Sequence, residues 1–455
     1  MIIKKLYFSN FRRFDSLEID FHNKLTVIVA RNGHGKTTVL DAVTIALGTY
    51  VGVFDLGKAK HMSINDARYV RHQKRLESEQ QYPVTIKACF SVQKISDKKV
   101  SDYNIIRELT SKKSRTTTKN ATIITNYGKY IMQKVRDLQD EMLPIVAYYG
   151  SGRLWNAHKN MSRKSVLSES RSMGYEDCLS PASNFKQVQQ WMAKATYAVM
   201  QQQEMPEYKD NKLPEQFKGI KAAVNSVLTD EGWRNFHYSL SYEELAMHHD
   251  ELGILPVSLL SDGVRAMVSL TADLAWRCAK LNPHLGMNAP TDTPGIVLID
   301  EVDIHLHPAW QQRVINSLQT IFKNIQFIVT THSPQVLSTV PAESIRLLKY
   351  ETDTETGLQH TVAVKPSIQS RGVASADVMA SLMETDPIPD VAEAKWLSEY
   401  KSLIQQNLYE TEQAKELRQK LNKHFGEQHQ EIFECERLIR LTKIKGKLQA
   451  KVCIN

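Results

Sequence analysis

A glycine-rich loop near the start of the chain has the residue types of a phosphate-binding site. Residues 30–37 read Ala-Arg-Asn-Gly-His-Gly-Lys-Thr and match the GxxxxGK[ST] pattern at every place except the first. Gly33 and Gly35 let the backbone curl so that successive N–H groups point inward. Lys36 can reach the β- and γ-phosphates of a nucleotide, and Thr37 offers a hydroxyl to Mg²⁺. The loop therefore predicts a site for a nucleoside triphosphate and Mg²⁺.

The sequence around this loop supplies the elements that such a site requires. Leu25 to Ala30 is a short apolar run typical of a buried strand, and Val39 to Gly48 has the composition of a buried helix. The N-terminus of a helix adds positive potential to a phosphate loop. We expect Asn32 and Thr38 to complete the nucleotide contacts. Ala30 is the departure: if its position needs a positive φ, alanine costs about 1–2 kcal/mol there.

Two acidic residues follow a second apolar run. Gly295 to Ile299 predicts a short apolar strand, and Asp300 and Glu301 come directly after it. Beside a phosphate loop, Asp300 would hold the metal ion through its water shell, and Glu301 would orient or deprotonate the attacking water. The alternative is an ordinary solvated strand end, which the upstream loop disfavours.

A third motif lies far from the loop in sequence. Leu260-Ser261-Asp262-Gly263 precedes an amphipathic stretch, Val264 to Leu281, that predicts a helix. Ser261 and the N–H groups around Gly263 would lie at the start of this helix, which suits an anion. One chain needs only one γ-phosphate site. A second anion site at Ser261 and Gly263 therefore indicates two chains that face each other, each closing the nucleotide pocket of the other.

In chain order, these motifs resemble the head of ATP-binding-cassette ATPases. The set comprises Lys36-Thr37, Leu260-Ser261-Asp262-Gly263, Asp300-Glu301 and His332. The opening string from Phe8 to Phe14 and the strings from Asp300 to Pro308 and from Thr330 to Pro334 place the resemblance in the branch shared by RecF-, SMC- and OLD-type ATPases. The resemblance implies an α/β phosphate-loop fold with mixed sheets, ATP and Mg²⁺ as ligands, and ATP hydrolysis.

The same resemblance assigns individual roles. It places Asp303 in the loop that lies across the dimer interface, and it makes His332 the switch that contacts the γ-phosphate. Arg12 or Arg13 would lie near the base and phosphates of the nucleotide. The glutamine of the family's Q-loop has no counterpart, because the comparable segment, Tyr148 to Arg153, contains no Gln.

Composition excludes several classes of protein. The 455 residues are 42% hydrophobic with both charge signs mixed, which excludes a disordered chain. The apolar runs fall far short of the roughly 18 residues that a membrane span needs, so no membrane association is expected. The five cysteines form no CxxC pair, and the N-terminus lacks an apolar signal core. A cytoplasmic location is the prediction.

The net charge of +8 is unevenly distributed. The segments Lys58 to Arg75, Lys98 to Lys119 and Arg437 to Asn455 carry +5, +5 and +6, which leaves the rest of the chain at −8. Basic patches suit phosphate backbones, so DNA is a possible partner, although a run of lysines on a loop is usually only solvated.

Other segments are interpreted from their periodicity. We predict strands at Ile2–Phe8, Ser16–Phe21, Ile145–Tyr149 and Gln326–Thr331, strand-like structure with an exposed hairpin over Ser91–Tyr127, a mobile loop at Gly150–Asn184, helices at Phe185–Met205 and Leu213–Leu228, a hairpin of Phe236–His249 with Leu252–Val257, and a helical tail at Ala392–Lys451. This gives an N-terminal head lobe (1–155), a loop and helical insertion (156–235), a C-terminal head lobe (236–350) and a helical extension (351–455).

The extension is too polar to form a core by itself. Its Leu/Ile stripe should therefore either dock on a partner or pack back on the head.

Within the branch, the chain is most similar to the PtuA family. The insertion of about 85 residues is too short for the coiled-coil arms of SMC proteins, and the sequence after His332 lacks the acidic pattern of an OLD-type nuclease. PtuA proteins are the ATPase subunits of Septu anti-phage systems and recur in some retrons. The resemblance implies a homodimer or a multimer of dimers that regulates a separate HNH nuclease resembling PtuB. The alternative is a stand-alone RecF-like repair ATPase that binds DNA through its basic segments.

Overall fold

The computed structural model describes residues 1–71, 77–93, 100–153, 170–181, 185–205, 207, 212–352 and 359–452. The chain divides into two compact units, Met1–Val378 and Met379–Asn455. The strands are β1 (Ile2–Phe11), β2 (Phe14–Asp20), β3 (Leu25–Val29), β4 (Tyr69–Arg71), β5 (Ser78–Gln80), β6 (Val84–Gln93), β7 (Val100–Leu109), β8 (Ile145–Tyr149), β9 (Trp233–Ser239), β10 (Glu244–His249), β11 (Gly253–Pro256), β12 (Gly295–Ile299), β13 (Ile325–Thr330), β14 (Ile345–Thr352) and β15 (Gln359–Val364).

The helices complete the list of elements. They are α1 (Lys36–Val51), α2 (Thr122–Arg136), α3 (Phe185–Glu204), α4 (Lys212–Leu228), α5 (Asp262–Leu281), α6 (Ala289–Asp292), α7 (Pro308–Gln311), α8 (Val314–Ile321), α9 (Pro334–Leu337), α10 (Ser375–Ser381), α11 (Ala392–Gln405), α12 (Glu412–Phe425) and α13 (Gln430–Val452). None of the described helices is long and apolar enough to cross a membrane.

A six-stranded sheet forms the centre of the first unit. Its order is β15-β14-β3-β13-β12-β8, and every pair is parallel except β14 with β15. All residues of β3, β8, β12 and β13 are buried, as expected of a parallel sheet covered on both faces. The carboxyl ends of these four strands share one edge of the sheet, so the loops that follow them meet there.

Antiparallel sheets complete the first unit. The four-stranded sheet has the order β2-β1-β6-β7, and β9, β10 and β11 form a separate meander. The predicted α/β fold with mixed sheets is therefore confirmed. The phosphate loop precedes α1, in which nearly every side chain is buried.

Two predicted strand regions in the first unit are corrected. The strand-like interpretation of Ser91–Tyr127 is wrong at its end, because Thr122–Arg136 is a helix. Its buried residues, which include Ile124, Gly128 and Ile131, recur at helical spacing, and packing against α1 outweighs the strand propensity of the β-branched residues. The predicted strand over Phe236–His249 is interrupted after Ser239, where the chain turns into β10.

Part of the predicted mobile loop at Gly150–Asn184 is packed. Met173 and Tyr175 are fully buried, in a short 3₁₀ turn at Arg171–Tyr175. Residues 154–169 and 182–184 lie outside the described residues, as do parts of the three basic segments.

The C-terminal extension differs most from expectation. Strand β15 lies beyond residue 350 and still pairs in the central sheet. The prediction that the tail is too polar for a core of its own is wrong, because α11, α12 and α13 pack together. Ile404, Leu421 and Ile432 are fully buried in that core, whereas Leu441 remains 44% exposed.

Candidate functional site

The phosphate loop owes its shape to two glycines with positive φ. Gly33 has φ 75° and Gly35, the residue that caps α1, has φ 88°. A Cβ on Gly35 would lie 2.4 Å from the ring of Phe14, so both conformation and space require glycine. Ala30 does not have a positive φ, so the predicted strain at this position is absent. Its carbonyl oxygen instead accepts a hydrogen bond from Nζ of Lys36 at 3.1 Å.

Thr37 and Asp300 meet across the loop. Thr37 Oγ1 donates to Oδ2 of Asp300 at 2.8 Å, although 263 positions separate the two residues. Oδ1 of Asp300 accepts from Thr330 Oγ1 at 2.6 Å, and the Asp300 residue is only 3% exposed. A hydroxyl beside one oriented carboxylate fits Mg²⁺, which takes few protein ligands and completes its shell with water and phosphate oxygens.

Glu301 has a constrained backbone. Its φ of 48° is unusual for a residue with a side chain. Its N–H donates to Thr330 Oγ1 at 2.8 Å, and its carbonyl oxygen accepts from Arg153 Nη2 at 3.2 Å. The peptide groups on both sides of Glu301 are therefore fixed, which orients the residue that would act on water.

His332 contacts the loop lysine. Nζ of Lys36 lies 2.5 Å from Nε2 of His332, so the lysine bridges the Ala30 carbonyl and the imidazole. Burial lowers the pKa of His332, and the charge of Lys36 lowers it further. Burial also lowers the pKa of Lys36, against the opposing effect of nearby carboxylates, Asp300 foremost. A neutral imidazole that accepts from an ammonium group fits both shifts.

The two candidate arginines have different surroundings. Arg12 donates to Asp41 at 2.6 Å and to Asp66 at 2.8 Å, so two carboxylates engage its guanidinium. Arg13 lies beside the phosphate loop and donates to the hydroxyl of Tyr350. Of the pair, Arg13 is the one shown against the phosphate loop, since its Cδ lies 3.2 Å from the place that a Cβ on Gly35 would occupy.

The third motif lies at the start of α5. Ser261 caps this helix, and a Cβ on Gly263 would lie 2.9 Å from the carbonyl oxygen of His305. Glycine thus lets the loop after Glu301 approach the helix start. In that loop, Oδ1 of Asp303 accepts from Thr331 Oγ1 at 2.5 Å.

Sequence reasoning missed three residues of this site. Thr330 holds both Asp300 and the N–H of Glu301, Arg153 holds their carbonyl groups, and Tyr350 lies beside Arg13 and His34. Arg153 follows the buried strand β8 by four residues, and this position beyond a strand end is the signal that could have identified it. The position of Tyr350 depends on how β14 pairs with β3, which no local pattern reveals.

The chain is similar to known ATPases in sequence. Residues 1–337 match the sequence model of the AAA ATPase domain. The chain is 27% identical to "Retron Ec83 probable ATPase" from Escherichia coli, over 95% of this chain and 85% of that protein. It is 28% identical to Septu protein PtuA from Bacillus mycoides (strain KBAB4), over 46% of this chain and 28% of that protein. The SMC head bound to the C-winged helix domain of ScpA aligns with 80% of this chain and 98% of that chain, at 16% identity and a TM-score of 0.48.

The similarity to PtuA that the motifs indicated is thereby confirmed at the level of sequence. The matched range also contains the phosphate loop, both acidic residues and His332.

Proposed function

The chain belongs to the AAA ATPase domain family and is an ATPase, and from that premise we propose that it is the ATP-hydrolysing subunit of an anti-phage defence complex. In this proposal, ATP-dependent pairing of its heads regulates a separate HNH-type nuclease. The observation that carries the ATPase site is the contact between Thr37 and Asp300 at the base of the phosphate loop. Glu301 and His332 follow the neighbouring strands β12 and β13, and both lie near Lys36: His332 contacts it, and the charge of Glu301 acts on its pKa.

Each side chain then has a defined part in hydrolysis. The N–H groups around Gly33 and Gly35 bind the phosphates, and Lys36 exchanges its contact with His332 for the γ-phosphate. Thr37 and Asp300 would hold Mg²⁺, which supplies charge neutralisation between the β- and γ-phosphates. Glu301 takes a proton from the attacking water, and His332 stabilises the charge on the γ-phosphate.

Pairing of two heads is supported by the surface around Ser261. This exposed residue borders a cavity of about 640 Å³ whose walls include the apolar residues Trp233, Val264 and Trp310. Leu259 next to it is 72% exposed. A helix start that suits an anion, beside apolar surface, fits a second copy of the chain that brings its own nucleotide.

The role in defence is supported by the similarities to a retron ATPase and to PtuA. The helical unit Met379–Asn455 has its own core and leaves apolar side chains of α13 exposed, among them Phe433 at 53% and Ile444 at 55%. This unit is our candidate for binding the nuclease.

A cytoplasmic location is supported by the cysteines. The free thiols are Cys89, Cys178, Cys278 and Cys435, which fits a reducing compartment.

Two substitutions test the ATPase site. We expect Lys36→Ala to abolish ATP binding, and Glu301→Gln to bind ATP normally but to hydrolyse it at least about a hundredfold more slowly, since a general base contributes that much or more. Calorimetry and phosphate release measure the two effects. Glu18→Gln, at an exposed carboxylate on β2, is the control for loss of a negative charge. Unchanged ATP affinity of Lys36→Ala would refute the site.

A second candidate function is a stand-alone DNA-repair ATPase. It is favoured by Lys112, Lys113 and Arg115, which are all exposed. Other basic residues favour it less, since Lys60 pairs with Asp41 and Arg107, in the same segment as these three, is fully buried. If the isolated chain binds DNA with a steep salt dependence that alanine at these three exposed positions removes, this function gains the stronger support.

A further inference from the structure

Arg153 is buried directly behind the two acidic residues of the candidate site. Its Nη1 donates to the carbonyl oxygen of Asp300 at 2.9 Å, and its Nη2 donates to that of Glu301 at 3.2 Å. The Arg153 residue is 5% exposed, so solvent does not compete for these bonds. One planar side chain thus holds two consecutive peptide groups, which a lysine ammonium cannot match in geometry.

The segment that carries Arg153 is anchored in turn. The N–H of Gly150 donates to the carbonyl oxygen of Pro181 at 3.1 Å, and the N–H of Arg153 donates to that of Gly150 at 3.2 Å. Asp300 donates its own N–H to the Tyr149 carbonyl at 2.8 Å, which continues the pairing of β8 with β12. The guanidinium is therefore fixed relative to the strand that ends at Asp300.

The backbone that Arg153 holds is strained. Glu301 has a φ of 48°, a left-handed conformation that residues with a Cβ rarely adopt. Such conformations persist where surrounding contacts impose them. Here Thr330 imposes it from the N–H side of Glu301 and Arg153 from the carbonyl side. Without the arginine, this peptide keeps two backbone bonds, from the N–H of Val302 to the Thr330 carbonyl oxygen at 3.0 Å and from the N–H of Ile304 to the Glu301 carbonyl oxygen at 3.1 Å. It loses the side chain that links the carbonyl oxygens of Asp300 and Glu301.

We propose that Arg153 is a positioning residue for ATP hydrolysis, which fixes the peptide groups of Asp300 and Glu301 so that the Glu301 carboxylate is aimed at the attacking water. This inference rests on the proposed role of Glu301. The guanidinium of Arg153 contacts the carbonyl oxygens of Asp300 and Glu301, and it acts through these two residues. Burial lowers the pKa of Arg153 to about 10, so its guanidinium still carries its charge at neutral pH.

The test is a double-substitution cycle on the full chain. Arg153→Met should lower kcat for ATP by up to about a hundredfold, the effect of misplacing a reacting group by about 1 Å, and leave the KM within about twofold. Arg153→Lys should give an intermediate kcat. In a Glu301→Gln background, Arg153→Met should change the residual rate by less than about twofold, since its effect passes through the missing carboxylate.

Arg171→Met is the matched control. Arg171 also donates to backbone carbonyls, those of Leu281 and Gln139, but these bonds do not involve Asp300 or Glu301. Its loss should leave kcat per folded molecule unchanged. If Arg153→Met does not fold, Arg153→Lys replaces it in the cycle.

Three results separate the possible outcomes. Wild-type kcat in the Arg153 variants would overturn the inference. So would an equal fold-loss from the Arg153 change in the presence and absence of Glu301, which indicates a purely structural role. Full activity of Glu301→Gln alone would instead overturn the proposed role of Glu301, and it would be seen before any Arg153 variant is made.

Discussion

The ring of Tyr350 lies beside the phosphate loop and is 45% exposed. The ring of His34 lies 4.9 Å from it between centroids, and the guanidinium of Arg13 lies 5.7 Å from its centre. A partly exposed aromatic face next to a phosphate site suits stacking with a nucleotide base, which is worth about 1–3 kcal/mol. We expect Tyr350→Ala to weaken ATP binding about tenfold in calorimetry and to leave binding of inorganic tripolyphosphate unchanged.

Tyr350→Phe is the control, because it keeps the ring and removes only the hydroxyl that Arg13 bonds. Its ATP affinity should stay close to that of the wild type. Equal losses for ATP and tripolyphosphate in Tyr350→Ala would show that the tyrosine supports the loop and does not contact the base.

The contact between Lys36 and His332 gives the nucleotide-free protein a pH dependence. The folded-state pKa of His332 is lowered by burial and by Lys36, so the unfolded chain binds a proton more readily. The stability that neutral His332 contributes is fully present above the pKa of an unfolded histidine, about 6.5, and is lost as the pH falls below that value. We expect the free energy of unfolding to decrease from pH 7 to about 5, and His332→Gln to reduce that slope in urea titrations. A slope unchanged in His332→Gln would contradict this, since His34, His61 and His284 would then account for all of it.

Among the elements, those around the phosphate loop could be predicted because their signals are local. The strands β3, β8 and β12 are short apolar runs, followed by the glycine-rich loop, by Gly150 and by Asp300, and a parallel sheet brings such ends to one edge. Helix α2 was not assigned because Ile123 and Thr125 favour strands by propensity, although the buried residues of this helix recur at helical spacing and Gly128 packs beside Val53 and Tyr50. Arg153 and Tyr350 reach the site through strand register, which is a long-range property.

Close packing of α1 provides a test at the element scale. A Cβ on Gly48 would lie 2.6 Å from the backbone nitrogen of Lys60 and 2.7 Å from its carbonyl oxygen. Glycine-to-alanine changes in helices normally stabilise by up to about 1 kcal/mol. We expect Gly48→Ala to destabilise the fold instead, by about 1–3 kcal/mol, because backbone must move. Urea unfolding measures this, with Gly128→Ala, whose nearest contact is a side chain at 3.3 Å, as the comparison.

For the whole molecule, the proposed function requires that two heads meet. In this proposal Lys36 binds the γ-phosphate of its own chain's nucleotide, and the helix start at Ser261, which the exposed Leu259 borders, covers the nucleotide of the facing chain. ATP that is bound but not hydrolysed, as in the Glu301→Gln variant, should therefore hold two chains together. We expect Glu301→Gln with ATP to double in mass by light scattering, and expect Lys36→Ala to show no such change.

Ser261→Arg separates pairing from nucleotide binding. The long cation would occupy the space that the facing chain's nucleotide needs, so the Glu301→Gln protein carrying it should bind ATP with unchanged affinity but remain unpaired. Ser402→Arg, at an exposed serine on α11, introduces the same side chain in the other unit and should still permit pairing. If Ser261→Arg pairs as readily as Ser402→Arg, this motif does not close the partner's pocket, and the heads are joined through another surface.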